Sequence, residues 1–565
     1  MPTIDIKKHD LDSLIGQKLA LSALEKHLML AKAELKEYNS ATDDLKVELS
    51  DSNRPDLWSV EGIARQIRIA LSGKPETYPF FNHGRKATRE IRVARAMKGV
   101  RPFIAACTAS GVHMTDDVLA QMIQSQDKLA EIFGRKRTTI SIGIYELDRI
   151  VFPVDYRLAD PSSISFIPLG MEERLTLAEI LERHPKGIDY GSIVKPFSQY
   201  PVLMDSMERV LSFPPIINSR EIGEVKPQTR NVLIEVTGTD LRMTMLTLNI
   251  LATSVYDRGA EIEPILVTYP YETAFGKHVT FPAHTPGKFK VSLSKFSLGL
   301  GEDVVLSDVK KYLASYGHSI SASRGMITVV VPPYRDDIMH PMDLVEDYAI
   351  SRGYDSFEPV MPQQSTVGSL TALELLSDSV RGNMVGAGFQ EIMSNILCSR
   401  EELDYAMTEG EVLVEVDNVM SLAYSVLRNR IIPSLLTVET TSSNAFYPHN
   451  TFEIGEVAVF DKNENNGSRT ELKLGALISH PGANFSEMHS TLDILFYYLG
   501  LDYSLVPVDQ PLYTLGRCGA ILSNGVAVGF MGEIRPAVLE RAQITMPCAA
   551  FEISLDSMLR LIDRK

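Results

Sequence analysis

The sequence predicts a multidomain α+β protein. Its 565 residues exceed what one hydrophobic core organises, so we expect roughly three to five domains. Short β-branched runs alternate with helical segments in the middle of the chain, which indicates an α/β domain. Helix and strand patterns recur in the last third, beyond a linker marked by Pro359 and Pro362. These changes divide the chain into four predicted domains: 1–88, 89–271, 272–355 and 356–565.

Charge and cysteine content restrict the function and the compartment. A formal net charge of −16 argues against a free-standing nucleic-acid binder, so an RNA partner would require a local basic patch or another subunit. Cys107, Cys398, Cys518 and Cys548 are far apart and include no CxxC pair, which fits a reducing cytoplasm. The sequence shows neither a signal peptide nor the ~20 consecutive apolar residues of a membrane helix. We therefore expect a soluble cytoplasmic protein without a membrane partner.

The first predicted domain combines helices with a strand. Residues Leu45–Leu49 alternate between apolar and polar side chains, as in a half-buried strand. An amphipathic helix from about residue 13 to 37 is predicted by apolar residues at helical spacing: Leu21, Leu24, Leu28, Ala31 and Leu35. A second helix, opened by Pro55, is predicted to bury one face: Leu57, Val60, Ala64, Ile67 and Leu71.

The second predicted domain, 89–271, is a mixed α/β structure. Helical segments are predicted at Asp116–Ile132 and Leu175–Arg183. Strands are predicted at four β-branched runs: Ile91–Val93, Thr139–Ile144, Val232–Val236 and Ile265–Thr268.

The third predicted domain, 272–355, contains a strand followed by an acidic helix. The strand Ile327–Val331 ends at two prolines, and the helix begins at Pro341 and ends before Gly353. Helix, strand and second helix suggest a small helix-turn-helix-like acidic domain. Four carboxylates lie close together in this stretch: Asp337, Asp343, Glu346 and Asp347. Oxygen ligands of this kind suit magnesium. The alternative is a solvated acidic helix start, which the helix dipole favours without any metal.

The fourth predicted domain, 356–565, begins with a long helix. Thr371 and Glu374 form a capping box, and a strand is predicted over residues 388–397. No phosphate loop and no glycine-rich motif ending in arginine occurs there, since Gly532-Glu-Ile-Arg-Pro contains a single glycine.

Three motif clusters are distinctive: Asn53-Arg-Pro-Asp-Leu-Trp-Ser-Val-Glu-Gly-Ile-Ala-Arg65, then Leu175–Tyr190 with Pro214–Ser219, and finally Arg335-Asp-Asp337-Ile followed by Asp343-Leu-Val-Glu-Asp347. Together they resemble phenylalanyl-tRNA synthetase β subunits of the archaeal or eukaryotic type. The resemblance implies that the four carboxylates hold Mg²⁺ near an α subunit. It also implies an α₂β₂ heterotetramer in which the α subunit binds ATP and phenylalanine and joins phenylalanine to its tRNA. The last domain would then be an antiparallel class II synthetase-like domain without catalytic motifs, used as an interface.

The same resemblance implies an editing domain that hydrolyses tyrosine wrongly attached to the phenylalanine tRNA. A pocket shaped for phenylalanine rejects an added hydroxyl only weakly, by ~10²-fold, whereas a second site that hydrogen-bonds the hydroxyl discriminates better. The implied pocket residues are Leu203, Ser212, Glu235 and Thr237. Glu235 would accept a hydrogen bond from the tyrosine hydroxyl, and Thr237 would orient water or the ester. Glu235 stands where the family pattern has an aspartate.

Structural alternatives remain for these residues and for the chain. Glu235 could be a solvent-facing strand carboxylate, and Thr237 could close a turn with Gly238. The whole chain could be a free-standing editing hydrolase, or a non-catalytic scaffold or RNA-binding subunit.

Overall fold

The computed structural model describes residues 2–50, 53–81, 86–284, 287–323, 325–363, 365–404, 406, 411–442 and 444–562. The chain divides into two compact units, Met1–Val360 and Met361–Lys565. Within the described ranges, no helix has the length and apolar character needed to cross a membrane.

The first unit contains both sheets and helices. Its strands are β1 Thr3–Lys7, β2 Ala33–Asn39, β3 Asp44–Leu49, β4 Arg89–Val93, β5 Phe103–Ser110, β6 Ile140–Glu146, β7 Val154–Ala159, β8 Ser165–Phe166, β9 Leu175–Thr176, β10 Tyr200–Met204, β11 Val210–Phe213, β12 Ile217–Asn218, β13 Val232–Gly238, β14 Glu261–Thr268, β15 His278–Phe281, β16 Lys288–Ser292, β17 Ser319–Ser323 and β18 Met326–Val330. Its helices are α1 Lys8–Ile15, α2 Leu21–Leu28, α3 Val60–Ser72, α4 Asp116–Lys128, α5 Leu177–Arg183, α6 Pro185–Tyr190, α7 Arg220–Gly223, α8 Leu241–Asp257, α9 Leu293–Leu300, α10 Leu306–Ala314 and α11 Pro341–Arg352.

The single helix predicted over residues 13–37 is wrong. Gly16, with φ of 87°, ends α1, and a separate helix α2 follows. Leu35 lies on β2, where it pairs with Val47 of β3. Pairing with β3 therefore decides the conformation of this segment against its helical spacing, because strand preference depends strongly on the neighbouring strand.

Helix α3 begins later than predicted. Pro55 opens a short 3₁₀ turn, and the Ser59 Oγ accepts a hydrogen bond from the Gly62 N–H at 3.1 Å as the helix cap. Leu71, predicted to be buried, is 45% exposed. The predicted strand at Leu45–Leu49 is confirmed as part of β3.

A large mixed sheet carries the candidate site. Its strand order is β12-β11-β10-β7-β4-β14-β5-β13-β6, with β15 paired to β14. Strand β4 runs parallel to β7 and β14, and the other neighbours are antiparallel. All four predicted strands of this region are confirmed as parts of β4, β6, β13 and β14. Strands β5, β7, β10 and β11 were not predicted.

One hydrophobic cluster joins the N-terminal sheet β1-β3-β2 to the large sheet. It includes Ile4 and Val47 from the small sheet and Ile104 and Ile234 from the large one, all fully buried. The first two predicted domains therefore share a core, and the boundary at 88/89 remains a prediction.

The end of the first unit is a small antiparallel sheet, β16-β18-β17, packed with α9, α10 and α11. Helix α11 is confirmed from Pro341 to Arg352, and His340 caps it. Strands β16 and β17 flank the predicted strand β18, so the helix-turn-helix-like description omitted the sheet.

The second unit is built on a long antiparallel sheet of order β19-β23-β24-β28-β27-β26-β25, in which β19 alone runs parallel to its neighbour among the described strands. Its strands are β19 Gln390–Glu391, β20 Leu397–Cys398, β21 Val414–Glu415, β22 Val426–Leu427, β23 His449–Phe460, β24 Ser468–Ser479, β25 Ser504–Pro507, β26 Tyr513–Ser523, β27 Val526–Ile534 and β28 Cys548–Ser554. Its helices are α12 Ala372–Gly386, α13 Arg400–Asp404, α14 Ile432–Thr441, α15 Phe485–Leu499, α16 Pro536–Arg541 and α17 Leu555–Ile562.

Two expectations for the second unit have definite outcomes. Thr371 caps α12 by accepting a hydrogen bond from the Glu374 N–H, as predicted. The strand predicted over 388–397 is wrong in extent, because only β19 and the start of β20 fall within that range. The likeness of this sheet to class II synthetases remains a prediction.

Candidate functional site

Strand register places the four predicted pocket residues in two pairs. Leu203 of β10 pairs with Ser212 of β11. Glu235 lies on β13 opposite Gly143 of β6. Thr237 follows on β13 opposite Ser141. Because side chains two residues apart point to one face of a strand, Glu235 and Thr237 share a face of the sheet.

Glu235 is the central acidic group of the site. Its side chain is buried, and the Tyr145 hydroxyl donates to its Oε1 at 2.8 Å. The same hydroxyl is 2.9 Å from the Ser212 Oγ. The other carboxylate atom, Oε2, is buried and has no hydrogen-bond partner among the described residues. Burial raises the pKa of Glu235 to about 8. The solvent-facing alternative for Glu235 is therefore wrong.

A cavity of ≈ 210 Å³ opens beside this carboxylate. Glu235, Ser212 and Ser141 contribute polar groups to its wall. Its other lining residues are Ile123, Gln126, Asp127, Ala130, Arg137, Ile142, Leu169, Phe213, Pro214, Pro215, Ile216, Ile217 and Asn218. Leu203 and Thr237 are fully buried and do not line the cavity.

Thr237 belongs to a buried polar network behind the cavity. Arg101 Nε donates to Thr237 Oγ1 at 3.2 Å, and the Ser141 and Thr237 hydroxyls are 2.8 Å apart. Arg101 Nη2 also donates to the Thr237 carbonyl at 2.9 Å. Ser141 lines the cavity, so Thr237 contacts the cavity wall indirectly, through its hydrogen bond with Ser141.

Gly143 makes the Tyr145–Glu235 contact possible. A Cβ at this position would lie 2.1 Å from the Tyr145 hydroxyl oxygen and 2.5 Å from Glu235 Oε1. Any other residue would displace one of these groups, so glycine is required by close packing here.

The four predicted metal ligands fall into separate groups. Asp347 is buried and Asp337 is half-buried. Both contact Arg335, whose Nη2 lies 2.6 Å from Asp337 Oδ2 and 2.9 Å from Asp347 Oδ2. The buried His318 adds its Nε2 at 2.7 Å from Asp347 Oδ2. Although burial opposes ionisation, Arg335 holds the pKa of both carboxyls below the usual range.

The other two carboxylates have different partners. Asp343 Oδ2 accepts hydrogen bonds from the Met339 and His340 N–H groups, both at 2.7 Å, as a helix cap. Glu346 is exposed and pairs with Lys32 Nζ at 2.9 Å. Within the described residues, no group of three or more acidic, histidine or cysteine side chains is arranged to hold a metal. In these positions the four carboxylates do not fit one magnesium ion.

Arg54 of the Asn53–Arg65 motif and Arg335, which contacts Asp337 and Asp347, both lie beside the ring of Tyr316. Arg54 Nε and Nη2 donate to Asp56 Oδ1 and Oδ2, both at 2.8 Å, in a buried bidentate pair. The guanidinium of Arg54 lies 5.6 Å from the ring centre of Tyr316, and that of Arg335 lies 5.4 Å from it. The motif therefore builds a buried charged contact between the N-terminal segment and the small sheet, a role that helix-entry geometry did not reveal.

Comparison with known proteins identifies the family. The tRNA synthetase B5 domain model matches residues 289–354, and the model of the phenylalanyl tRNA synthetase beta chain CLM domain matches residues 358–555. The phenylalanine–tRNA ligase beta subunit of Borrelia recurrentis is 38% identical over 99% of this chain and 100% of its own length. The chain belongs to the phenylalanine–tRNA ligase β-subunit family.

Other members of the β-subunit family agree over the same extent. The beta subunit of Thermococcus gammatolerans is 37% identical over 98% of both chains. An N-terminal fragment of the phenylalanyl-tRNA synthetase beta subunit of Pyrococcus horikoshii, a crystal structure, is 37% identical, with a TM-score of 0.59 over 62% of this chain and 100% of the fragment. The predicted resemblance to archaeal-type β subunits is confirmed.

Sequence reasoning missed several residues of this β subunit that contact Glu235 or Thr237 behind the cavity wall. Tyr145 and Gly143 lie on or next to a predicted strand, but only the pairing of β6 with β13 places them against Glu235. Arg101 reaches Thr237 from 136 residues away. One local signal was available: Arg135-Lys136-Arg137 is a run of three cations in an acidic chain.

Proposed function

We propose that this β subunit proofreads the ligase reaction by hydrolysing tyrosine from the phenylalanine tRNA in the cavity beside Glu235. The observation that carries the proposal is the buried Oε2 of Glu235, which lacks a partner among the described residues and belongs to a side chain that lines the cavity. A buried polar atom without a partner costs free energy, and a ligand hydroxyl that satisfies it recovers that cost.

This atom explains discrimination between tyrosine and phenylalanine. The tyrosine hydroxyl would pair with Oε2, whereas phenylalanine would leave Oε2 buried and unpaired. A site built to hydrogen-bond a hydroxyl rejects the analogue that lacks it far more strongly than an apolar pocket rejects an extra hydroxyl. The cavity of ≈ 210 Å³ is smaller than the roughly 300–1,000 Å³ of usual small-molecule pockets, so it fits one side chain better than a whole nucleotide.

The protonation state of Glu235 determines whether it donates or accepts the hydrogen bond with the tyrosine hydroxyl. With a pKa of about 8, the carboxyl group is mainly protonated at pH 7. Because Oε1 already accepts from Tyr145, the proton is placed on Oε2, which donates to the substrate hydroxyl oxygen. The sequence had suggested acceptance by Glu235, and that role applies above pH 8. Ser141 and Ser212 supply further hydroxyls in the cavity wall, and Thr237 with Arg101 orients Ser141.

Deacylation of tyrosyl-tRNA and phenylalanyl-tRNA by the full-length chain tests this function. We expect the wild-type chain to hydrolyse the tyrosyl ester preferentially. Glu235→Ala should lower its kcat/KM by at least about 10-fold, the effect of losing a buried hydrogen bond to the substrate. Glu172→Gln, which changes an 88% exposed carboxylate, is the matched control. Equal rates for the wild type and Glu235→Ala would remove Glu235 from the mechanism, and an inactive wild type would favour the scaffold alternative.

We further propose that the chain works with an α subunit in an α₂β₂ assembly, in which the α subunit supplies ATP binding and ligation. Family membership supports this, together with the absence from the sequence of a glycine-rich motif ending in arginine. Co-purification with a second chain and a mass for the complex by light scattering test it. A stable monomer that deacylates at full rate would support the free-standing hydrolase instead.

Magnesium binding by Asp337, Asp343, Glu346 and Asp347 remains a proposal at the level of the complex. Arg335 and His318 occupy two of these carboxylates, and the other two serve as a helix cap and an ion-pair partner. We derive no catalytic step from this metal.

A further inference from the structure

A basic turn borders the wall of the cavity. It consists of Arg135, Lys136 and Arg137, three consecutive residues with φ of 51°, 52° and 63°. Left-handed backbone at one residue other than glycine is uncommon, and three in succession are sustained only where the surrounding structure imposes them. The Lys136 and Arg137 N–H groups donate to the Glu131 and Ala130 carbonyls at 2.8 and 2.9 Å, which fixes the turn.

The turn is also packed tightly at its base. Gly134 is buried, and a Cβ there would lie 2.5 Å from the Ala130 carbonyl oxygen and 2.8 Å from the Ile140 carbonyl oxygen. Thr139, two residues after the turn, donates its N–H to the Gly134 carbonyl at 2.9 Å. Backbone hydrogen bonds therefore hold this strained turn at both ends and fix the backbone of Arg135, Lys136 and Arg137.

The charges of the basic turn are only partly offset. Arg135 and Lys136 are exposed, and neither forms an ion pair within the ranges that the structure describes. Arg137 lines the cavity, donates to the Pro215 and Ile216 carbonyls, and approaches Asp127 and Glu131 only at 3.8 and 3.9 Å. Its Nε is buried without a partner among the described residues.

A fourth cation and an aromatic ring extend the same surface. The Arg137 guanidinium lies 4.3 Å from the ring centre of Tyr190, and Lys186 Nζ lies 5.6 Å from it. The Tyr190 hydroxyl donates to Glu131, which offsets part of the charge next to Arg137. Among the residues that the structure describes, no acidic side chain forms an ion pair with Arg135 or Lys136, although the chain as a whole carries a net charge of −16.

We infer that the basic turn, Arg135–Lys136–Arg137, binds backbone phosphates of the single-stranded 3′ end of the tRNA whose aminoacyl group enters the cavity. This inference rests on the proposed editing function. The cavity admits one side chain, so the polynucleotide lies outside it, and Arg137 connects the cavity wall to the two exposed cations. Phosphates supply most of the salt-dependent affinity in such complexes, which lets a local patch act within an acidic protein.

The test compares matched variants of the full-length chain. Arg135→Asn/Lys136→Asn removes both charges with a residue that tolerates left-handed backbone. Arg135→Lys/Lys136→Arg keeps both charges in the same turn. Lys26→Asn/Lys310→Asn removes two charges from exposed lysines on α2 and α10 that form no ion pair within the described ranges. Thermal melting of each variant reports whether the fold is retained.

The first readout is the salt dependence of tyrosyl-tRNA deacylation, measured between about 0.05 and 0.2 M KCl. Losing two phosphate contacts should reduce the slope of log(kcat/KM) against log[salt] by about 1.4 and raise KM about 10- to 30-fold at the lowest salt, with kcat little changed. The charge-retaining swap and the lysine control should behave like the wild type.

The second readout is deacylation of 3′-O-tyrosyl-adenosine, a substrate without phosphates. The asparagine double variant should hydrolyse it at the wild-type rate, whereas Glu235→Ala should be slow on both substrates. A wild-type salt slope in the asparagine variant, or an equal loss in the lysine control, would overturn the inference while the editing proposal stands. A salt-independent loss would also overturn it. Should the wild-type chain be inactive on both substrates, the proposed function itself fails, and the slope for uncharged tRNA measured by anisotropy still decides whether the turn binds phosphates.

Discussion

The Tyr145 hydroxyl lies 2.8 Å from Glu235 Oε1 and 2.9 Å from the Ser212 Oγ, so it couples two strands to one buried carboxyl group. This contact assigns different tasks to the two oxygens of Glu235. Oε1 accepts from Tyr145, whereas Oε2 has no hydrogen-bond partner among the described residues. Burial raises the pKa of Tyr145 far above its ordinary value, so the phenol remains a donor throughout the working pH range.

Replacing Tyr145 with phenylalanine should change the pH dependence of editing. The hydrogen bond from Tyr145 lowers the pKa of Glu235, so its loss should move the ionisation of Glu235, near pH 8 in the wild type, and the accompanying change in kcat/KM to higher pH. The unsatisfied Oε1 should also lower the free energy of unfolding by about 1–3 kcal/mol. The pH profile of tyrosyl-tRNA deacylation and urea denaturation measure these effects.

Tyr271→Phe is the control for this prediction. Its hydroxyl donates to the Pro102 carbonyl at 2.6 Å, away from Glu235. It should leave the pH profile unchanged. An identical profile for Tyr145→Phe and the wild type would contradict the assignment of Oε1.

Glu235→Gln should make stability less sensitive to pH. The folded protein binds a proton at Glu235 with a pKa of about 8, whereas the unfolded chain binds it near 4.5, so the folded state loses stability as pH rises between these values. Glutamine has no proton to lose. The free energy of unfolding of Glu235→Gln relative to the wild type should therefore increase by a few kcal/mol between pH 5 and 9.

Urea denaturation at pH 5, 7 and 9 measures this difference. Glu172→Gln should show no such trend because Glu172 is almost fully exposed. A constant difference between Glu235→Gln and the wild type would mean that Glu235 titrates normally in the folded protein.

Gly143→Ala should disrupt the site because the added methyl group collides with neighbouring side chains. The added Cβ meets the Tyr145 hydroxyl and Glu235 Oε1 at distances that require both to move. We expect at least about a 10-fold loss of deacylation and a destabilisation of about 1–3 kcal/mol, typical of overpacking. Gly99→Ala, which meets nothing within 4 Å, is the control. Full activity in Gly143→Ala would show that the Tyr145–Glu235 contact is dispensable.

Asp56→Asn should destabilise the first unit. It leaves the buried Arg54 guanidinium without its bidentate partner, and breaking a buried pair on one side costs about 3–5 kcal/mol. Glu172→Gln breaks an exposed ion pair with Arg220 and should leave the free energy of unfolding almost unchanged. Chemical denaturation compares the two, and similar small losses would show that water reaches Arg54.

The variant Asp343→Ala distinguishes the role of Asp343 as a helix cap from its proposed role as a magnesium ligand. Loss of the cap should lower the stability of the isolated chain by about 1 kcal/mol, with or without a chelator. Magnesium binding would add a chelator-dependent loss, most directly in the complex with an α subunit. Melting temperatures with and without EDTA, for the chain alone and for the complex, distinguish these contributions.

The sequence predicted elements with strong local signals and failed where distant pairing decides. The β-branched runs form strands, and α11 begins at Pro341 and ends before Gly353, as expected. Leu35 fits the apolar spacing of a helix, yet it lies on strand β2, which pairs with β3. Local spacing does not encode which strand will lie alongside, so such errors are expected where a segment satisfies both patterns.

The candidate sites show the same limit. Glu235 was identified through the family pattern, but its donor Tyr145 required the β6–β13 register. In the acidic stretch, spacing placed Asp343, Glu346 and Asp347 on one helix, but it could not show that Arg335 and His318 already contact Asp347. The periodicity of a helix does not indicate which charged residues from other segments will contact it.

The contact between Tyr316 and the Leu30 carbonyl spans 286 residues, and the Lys32–Glu346 pair spans 314. During synthesis the N-terminal sheet leaves the ribosome long before its partner segment exists. Until then the Arg54–Asp56 pair lacks the ring of Tyr316 beside it, and apolar surface of the shared cluster stays open to solvent. The nascent chain therefore completes its first unit only after more than half of the polypeptide has been translated.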